Sequence, residues 1–572
     1  MRAPTTPRGR FALATLAYAG LTAAMLHDVF PGMSTRLYAS ITDPLLNASI
    51  LAWNAKHLPL TAAWWDFPSF APLSGLTAWT DHLLIAYPLT TPIVWMSGNP
   101  ILAYGVLLVA CFVLNGIAAY ALAREVTGSD AAACVGGLAF AFAPYMAGQV
   151  NHVQSLMAFG MPLALLGLHR VAAGLSTRVA RSRHARRSGI AWFAIGWVAI
   201  VFANAYMLVF FPILAALWCA WFLRARWRAL VPIAVVAIAV LLIAAPLLWG
   251  YHVRQAAYGL TRPYDEIARG GASVADFAAV APQNLAWRHV LNTSETEAML
   301  FPGISIVVLS AIGVVAHARG AWSRRDAIVF YAGAALVMWM LALGPELTWS
   351  GGSRVALGPY RLLLILPGTH AIRVPARAWL LATLCLAMTA AGGVQALASS
   401  EPGGSRRTRH AIAYALAAAV LLEGAFTDAT YAVPPIVPRG FIPANALVLD
   451  LPLGALTDNL PAVYSAVMDG YRTVNGYSGY GPPHLGPLRD ALASHDPGAF
   501  NAYRRLDDLY VVVRPEVDRP FLNWLTSQPS IGRVFDSRAW TVYEMPHLGG
   551  DVQPRVPVPL PLPHGAEEFE IR

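Results

Sequence analysis

The chain has 572 residues, of which 57% are hydrophobic and only 12% are charged, whereas about 25% of the residues of a soluble domain carry charge. This balance excludes a soluble enzyme, a disordered protein and a nucleic-acid-binding domain. The formal charge of +9 comes almost entirely from arginine, because Lys56 is the only lysine. The arginines stand in short gaps between apolar runs, where they set the orientation of membrane helices. The composition therefore predicts a multi-pass membrane protein.

Eleven apolar segments are predicted to cross the membrane, since a crossing helix needs about 20 mostly apolar residues. The first follows Arg2, Arg8 and Arg10 and is predicted to be a retained helix, because no clear signal-peptide cleavage site comes after it. The segment 189–222 is too long for one crossing, so a break near Asn204 divides it in two. The predicted segments are 11–30, 101–123, 131–148, 153–171, 189–222 (two crossings), 230–250, 301–316, 327–343, 376–397 and 411–425.

The arginine distribution predicts the orientation. Segment 81–98 is apolar but contains Pro88 and Pro92, which favours an interfacial or re-entrant helix. With that segment on one side of the membrane, five arginine-rich loops become cytoplasmic, as positive-inside bias requires. The N-terminus is then cytoplasmic, in a bacterial-type inner membrane. The outer side receives 31–100, 251–300, 344–375 and everything after 426.

The C-terminal part is more polar than the rest of the chain. Strands are predicted at 446–451, 509–513 and 540–544, separated by turn signals such as Asn475-Gly476. We therefore predict a membrane domain over 1–425 and a soluble outer-face α/β domain over 426–572, whose last stretch, 554–563, is an extended proline-rich tail. The four cysteines lie far apart within apolar runs, so neither a disulfide framework nor a zinc site is predicted.

The first outer segment, 31–100, is the most informative for function. Asp43-Pro44 is typical of an N-cap followed by proline in the first helical turn. The helix that follows is predicted to be amphipathic and to lie along the membrane surface, as one of several outer-face interfacial helices. Its apolar stripe and the aromatic, acid-bearing loop after it contain Leu45, Leu46, Ile50, Trp53, Trp64, Trp65, Asp66, Trp79, Asp81 and His82.

This arrangement resembles the GT-C class of membrane glycosyltransferases, which includes protein O-mannosyltransferases and lipid A aminoarabinose transferases. Members of the class place an acidic residue in the first outer loop, follow it with membrane-parallel helices, and often carry a soluble C-terminal outer domain. The resemblance covers the architecture of the whole chain, and the motifs of about residues 40–175, including 121–128 and 142–145. It implies a sugar donor carried on polyprenyl phosphate and places Asp43 at the position of the catalytic carboxylate.

Such a transferase needs a base that deprotonates the acceptor hydroxyl, and Asp43 is predicted to be that base. The alternative is a pure helix cap, and the two roles are compatible because a cap also fixes the carboxylate. Asp66, Asp81, His82 and His152 are candidates for orienting the acceptor or the phosphate. Their alternatives are solvated loop acids and structural histidines. The loop contains no close Asp-x-Asp or Glu-x-Asp pair, so neither a metal nor another cofactor is predicted.

A phosphate leaving group also needs cations. Arg361, Arg373 and Arg377 stand before an apolar helix on the predicted outer side, and guanidinium groups suit phosphate oxygens. The alternative is that these side chains extend to lipid headgroups. Arg254 and Arg262 form a second, less favoured set.

The predicted function is transfer of a sugar from a polyprenyl-phosphate donor to an outer-face cell-envelope acceptor. The predicted partners are that lipid-linked sugar and membrane lipid, with no nucleic acid. Two alternatives stay open at the level of sequence: a transporter or flippase of lipid-linked saccharide, and a non-catalytic envelope scaffold. Transport is disfavoured because most predicted spans carry no charge at their centres.

Overall fold

The computed structural model describes residues 6–174, 180–224, 226–294, 297–319, 325–349, 354–366, 368–399, 406–437, 440–454 and 456–549. Most of these residues are helical. The longer helices are Pro7–Met25, Asp43–Lys56, Tyr87–Ser97, Pro100–Thr127, Asp130–Ala141, Gly160–Gly174, Ala180–Val201, Ala205–Phe222, Leu230–Ala257, Ile304–Ala318, Arg325–Ala342, Trp379–Ser399, Arg406–Glu423 and Leu460–Asp469. The predicted proline-rich tail at 554–563, and parts of the arginine-rich loops at 175–179, 320–324 and 400–405, lie outside the described residues.

The chain is a multi-pass membrane protein. Among the described residues, six helical segments are long and apolar enough to cross a bilayer. They are Pro100–Thr127, Asp130–Ala147, Val153–Gly174, Ala205–Phe222, Leu230–Ala257 and Pro375–Ala398. Shorter apolar helices lie at the other predicted spans toward the C-terminus, and the total of eleven crossings stays a prediction.

The predicted break near Asn204 is confirmed. One helix ends at Val201, and Asn204 is the N-cap of the next, its side-chain oxygen accepting a hydrogen bond from the Met207 amide at 3.0 Å. The Asn204 amide group also donates to the carbonyl of Gln154 at 2.5 Å. Asn204 is only 2% exposed, so these bonds satisfy a polar group that would otherwise be costly inside the membrane region.

Two neighbouring helices approach each other closely through glycine. Gly160 and Gly167 on the helix Gly160–Gly174 face Gly189 and Gly196 on the helix Ala180–Val201. A Cβ at any of the four would meet backbone atoms of the facing helix at under 3.0 Å. Small residues of this kind let membrane helices pack backbone against backbone.

The contacts divide the chain into two compact units. The first comprises Met1–Met33, Gly105–Ala245 and Thr261–Thr430, and the second comprises Ser34–Tyr104, Pro246–Leu260 and Tyr431–Arg572. The first outer segment and the C-terminal part of the chain therefore belong to the same compact unit, although hundreds of residues separate them in sequence.

The second unit contains a five-stranded mixed sheet. Its strands, in spatial order, are Gly532–Asp536, Thr541–Met545, Leu509–Val513, Leu447–Leu451 and Arg472–Thr473. The first two pairings are antiparallel and the last two are parallel. The three predicted strands are present, whereas the two edge strands were not predicted. Arg514, directly after one central strand, binds the carboxylate of Asp450 in the neighbouring strand through two hydrogen bonds of 2.7 and 2.8 Å.

The prediction of a turn at Asn475-Gly476 is wrong. Asn475 is buried, and its side-chain amide exchanges two 2.8 Å hydrogen bonds with the backbone of Asp450, as a further strand residue would. Gly476 lies against the ring of Phe70, where a Cβ would meet ring carbons at under 3.0 Å. The dipeptide therefore serves packing and not chain reversal.

The predicted amphipathic surface helix is also corrected. The helix Asp43–Lys56 is buried over nearly its whole length, with Asn47, Ser49 and Asn54 buried alongside its apolar residues. The helix Leu460–Asp469 packs against it, and the Lys56 ammonium group donates to the Val467 and Met468 carbonyls at 2.7 Å. Because packing covers its polar side as well, the helix is a core element of the second unit.

The glycine contacts give a testable prediction. Ala in place of Gly normally favours a helix by about 1 kcal/mol, so Gly333→Ala, which has no neighbour within 4 Å, should keep or raise the thermal unfolding midpoint of the detergent-solubilised protein. Gly196→Ala should lower it, because the new methyl group would press on a backbone and overpacking costs roughly 1–3 kcal/mol. An equal change of the unfolding midpoint in the two variants would contradict the close approach of the two helices.

Candidate functional site

A buried ion pair organises the polar part of the first unit. Arg377 precedes the helix Trp379–Ser399, and its Nε and Nη2 donate to the two carboxylate oxygens of Glu297 at 2.5 Å each. The side chains are only 6% and 13% exposed. The Arg377 guanidinium also lies 4.3 Å from the ring centroid of Tyr206, within the range of a cation–π contact.

Electrostatics hold Glu297 in its charged form. Burial acts to raise the pKa of Glu297. The Arg377 guanidinium, His152 and Arg373 act in the opposite direction and together lower it to about 2. The Nε2 atom of His152 lies 3.8 Å from a carboxylate oxygen of Glu297. Three residues predicted from the sequence, His152, Arg373 and Arg377, are thus brought together around a carboxylate that the sequence did not reveal.

Short segments of chain position these groups. The turn before the helix Val153–Leu156 is closed by a 2.8 Å bond from the His152 amide to the Gln149 carbonyl, and the side chain of Met299 packs on Gly148. The loop that carries Arg373 is held by a 3.2 Å hydrogen bond from the Ala376 amide to the Gly270 carbonyl.

Two buried polar side chains of the same turn region mark it as a place for a polar ligand. Tyr145 lies close enough to Glu297 and Arg377 to interact with both charges. Among the described residues, its hydroxyl and both amide atoms of the fully buried Gln149 have no hydrogen-bond partner. Since buried polar groups are normally bonded, a ligand that offers donors and acceptors would satisfy them. We name Tyr145, Gln149, His152, Glu297, Arg373 and Arg377 the Arg377 cluster.

The remaining predicted arginines contact other residues. Arg361 is exposed, with its guanidinium 5.9 Å from the ring centroid of Tyr264. Arg262 forms a 2.9 Å ion pair with Glu266, and Arg254, in the second unit, lies 4.1 Å from the ring centroid of Trp65.

Asp43 lies in the second unit, and its carboxylate is oriented by a tyrosine distant in sequence. The Tyr477 hydroxyl donates to Oδ1 of Asp43 at 2.6 Å. The expected capping role is corrected, because Thr42 occupies the N-cap position and Asp43 is the first helical residue. Asp43 is half-buried, so the group combines a fixed orientation with access from outside.

The other candidates of the first outer segment bind their own loop. Oδ1 of Asp66 accepts a 2.8 Å hydrogen bond from the Gly75 amide. His82 is 8% exposed, its Nδ1 accepts from the Leu84 amide at 3.2 Å, and burial lowers its pKa to about 4. These contacts fit structural roles. Asp81 lies near Tyr251, whose hydroxyl donates to the Thr80 carbonyl at 2.7 Å.

Sequence reasoning missed Glu297 and Tyr477. Neither belongs to a motif, and each contacts its partner only through long-range packing. The sequence showed only that an acid and a tyrosine lie in predicted outer segments. Within the described residues, no group of three or more His, Cys, Asp or Glu side chains is arranged to hold a metal ion.

Residues 79–425 match the family described as a domain of unknown function (DUF6311), and the chain belongs to this family. The match covers more than half of the sequence and includes every member of the Arg377 cluster. A comparison with curated protein sequences gives no match.

The fold is that of the GT-C glycosyltransferases, as the sequence resemblance predicted. The arabinofuranosyltransferase AftD from Mycobacteria (mutant R1389S) superposes with a TM-score of 0.56 at 16% identity, over 96% of this chain and 42% of the transferase. This chain therefore spans about two fifths of the length of that protein. The oligosaccharyltransferase of Archaeoglobus fulgidus gives a TM-score of 0.47 at 13% identity, over 88% of this chain and 69% of that one. ArnT from Cupriavidus metallidurans gives 0.38 at 12% identity, over 93% and 98%.

The Glu297–Arg377 pair predicts a pH-dependent stability. Because the pKa of Glu297 is about 2 in the folded protein against an ordinary 4.5, the pair stabilises the fold above pH 4.5. That contribution, on the order of 3 kcal/mol, is lost as the pH falls toward 2. Thermal unfolding midpoints between pH 7 and pH 3 measure the loss.

Glu297→Gln should lower the free energy of unfolding at pH 7 by about 3–5 kcal/mol, because it leaves Arg377 buried without its counter-charge. It should also make the thermal unfolding midpoint depend less on pH between pH 7 and pH 3. The control is Asp265→Asn, an exposed acid in the same unit. An acid dependence equal to that of the parent would show that Glu297 is not the titrating group.

Proposed function

We propose that this protein transfers a sugar from a polyprenyl-phosphate donor to an acceptor on the outer face of the cytoplasmic membrane. The observation that carries the proposal is the oriented carboxylate of Asp43, hydrogen-bonded to Tyr477 at 2.6 Å, in a chain with the fold of an arabinofuranosyltransferase. A half-buried carboxylate that opens the first helix after the first apolar segment suits a general base.

In the proposed reaction, Asp43 accepts the proton of the acceptor hydroxyl while that oxygen forms a bond to the anomeric carbon of the sugar. The bond between the anomeric carbon and the phosphate oxygen breaks, and polyprenyl phosphate leaves with the electron pair. Tyr477 orients the carboxylate through its hydrogen bond and does not itself accept the proton.

We assign the donor phosphate to the Arg377 cluster, with Arg373 as its main contact. Arg377 already holds Glu297 through two hydrogen bonds, so a phosphate at that guanidinium would compete with a carboxylate. Arg373 makes no hydrogen bond or ion pair with the described residues, yet it acts electrostatically on Glu297. Tyr145 and Gln149 would complete the site as hydrogen-bonding groups.

The proposal includes eleven crossings, with the N-terminus in the cytoplasm and the C-terminal part outside. Reporter fusions after Arg187, Arg228 and Arg409 should then report the cytoplasm, and fusions after Ser273 and Gly470 should report the outer side. A cytoplasmic report at Gly470 would contradict an outer-face reaction.

The base is tested with Asp43→Asn in membranes supplied with a radiolabelled lipid-linked sugar. Transfer should fall about 10²–10⁴-fold, as for a lost general base. Because Thr42 is the N-cap, Asp43→Asn and Asp43→Ala should be about equally stable. Tyr477→Phe should lower transfer by only about tenfold, the effect of one lost hydrogen bond.

The matched control is Asp490→Asn, an exposed aspartate of the same unit, which should retain full transfer. Near-normal transfer by Asp43→Asn would mean that another group is the base. Transfer that is absent from the parent protein with every lipid-linked donor supplied would favour transport or scaffolding instead.

Donor binding is tested with Arg373→Gln and polyprenyl phosphate as the probe. Loss of a charge-assisted hydrogen bond should weaken binding by roughly 1.5–3 kcal/mol, with little change in the unfolding midpoint. Arg288→Gln removes an exposed arginine of the first unit and serves as the control. Equal affinities of the two variants would favour lipid headgroups as the partner of Arg373.

A further inference from the structure

The first unit contains a cavity that the proposed transfer reaction does not use. This half-open cavity of about 600 Å³ is lined by the helices Pro7–Met25, Pro100–Thr127, Gly160–Gly174 and Ala180–Val201. Its wall is mostly apolar. No member of the Arg377 cluster lines it, so the proposed transfer reaction does not explain its presence. A volume of this size suits a ligand of several hundred Å³ that is mainly apolar.

One end of the cavity is charged. Arg124, Glu125 and Arg170 line it there, and Arg170 forms a 3.3 Å ion pair with Glu125. Arg124 and Arg10 both bind Asp130. Three arginines thus meet two carboxylates, so this rim carries a net positive charge. The side chains of Arg124 and Arg170 are 32% and 31% exposed, which leaves them accessible to an anion.

The length of the cavity matches one leaflet of a bilayer. Along the helix Pro100–Thr127 its lining runs from Leu114 to Glu125, a distance of about 16 Å at 1.5 Å per residue. The hydrocarbon core of a membrane is about 30 Å thick. A chain that enters at the charged rim would therefore reach about the middle of the bilayer.

Aromatic side chains lie at the same end as the charges. Tyr120 and Trp192 line the cavity there, and the guanidinium of Arg170 lies 5.9 Å from the Trp192 ring centroid. Tryptophan and tyrosine prefer the headgroup level of a membrane. The charged rim is thus placed where lipid phosphates lie.

We propose that this cavity binds one anionic phospholipid, with an acyl chain along the apolar wall and the phosphate at Arg170 and Arg124. The net positive rim favours an anionic headgroup over a zwitterionic one. The inference is independent of the transfer reaction, because it uses none of the residues assigned to base or donor.

The test uses the full-length protein in detergent, mixed with phosphatidylglycerol or phosphatidylcholine, and counts bound lipid by native mass spectrometry. Ala121→Phe fills the cavity and should reduce bound phosphatidylglycerol about tenfold, because a packed wall cannot admit both the ring and the chain. Arg170→Gln should reduce it by a similar factor, and Arg170→Lys, which keeps the charge, should restore most of it.

Two matched controls make the same changes elsewhere. Ala418→Phe adds a ring to an exposed helix position outside the cavity, and Arg187→Gln removes an exposed arginine from one of the helices that line it. Both should bind phosphatidylglycerol as the parent protein does. If Ala121→Phe does not fold, the Arg170 variants still test the proposal, because they do not fill the cavity.

Three results would overturn the proposal. Equal retention of phosphatidylcholine and phosphatidylglycerol would mean ordinary boundary lipid. Full retention by Ala121→Phe would place the bound lipid elsewhere. Displacement of phosphatidylglycerol by an equimolar amount of polyprenyl phosphate would identify the occupant as a polyprenyl lipid.

Discussion

A buried guanidinium at the beginning of a membrane helix has to be neutralised, and this requirement organises the first unit. Arg377 is 5% exposed and would be costly without a counter-charge. Glu297 supplies it, and its carboxylate also lies 3.8 Å from His152. The ion pair therefore links two irregular segments of the first unit, the one that carries Glu297 and the one that carries Arg377.

The membrane helices were predictable because their signal is local. Apolar runs and the break at Asn204 lie within a few residues of the structures that they specify. The central strands of the sheet followed in the same way from short runs rich in apolar and β-branched residues. The very short strand Arg472–Thr473 carries too few residues for such a pattern, and it was missed.

The sites were less predictable because their partners are far apart in sequence. His152, Arg373 and Arg377 were named from residue type and predicted side of the membrane, but nothing near them indicated Glu297. Tyr477 lies 434 residues from Asp43, and its role follows only from the packing of the C-terminal segment within the second unit. The same packing covers the helix Asp43–Lys56. Its apolar stripe predicted a helix on the membrane surface, but the helix is buried in the core of the second unit.

The charge balance of the Arg377 cluster bears on how a phosphate would be used there. A sugar-linked phosphate diester carries one negative charge, whereas the phosphate monoester left after transfer carries −1.5 to −2 at about pH 7. Negative charge therefore grows at the phosphate as the sugar departs. A cation that Glu297 does not neutralise attracts this developing charge more strongly than it attracts the bound donor. Such an interaction lowers the activation barrier of the transfer, whereas one that is equally strong in both states only tightens substrate binding. Because Arg377 is bound to Glu297, Arg373 would be the cation that stabilises the added charge. The same preference for the more highly charged phosphate would make released polyprenyl phosphate a competitor of the donor.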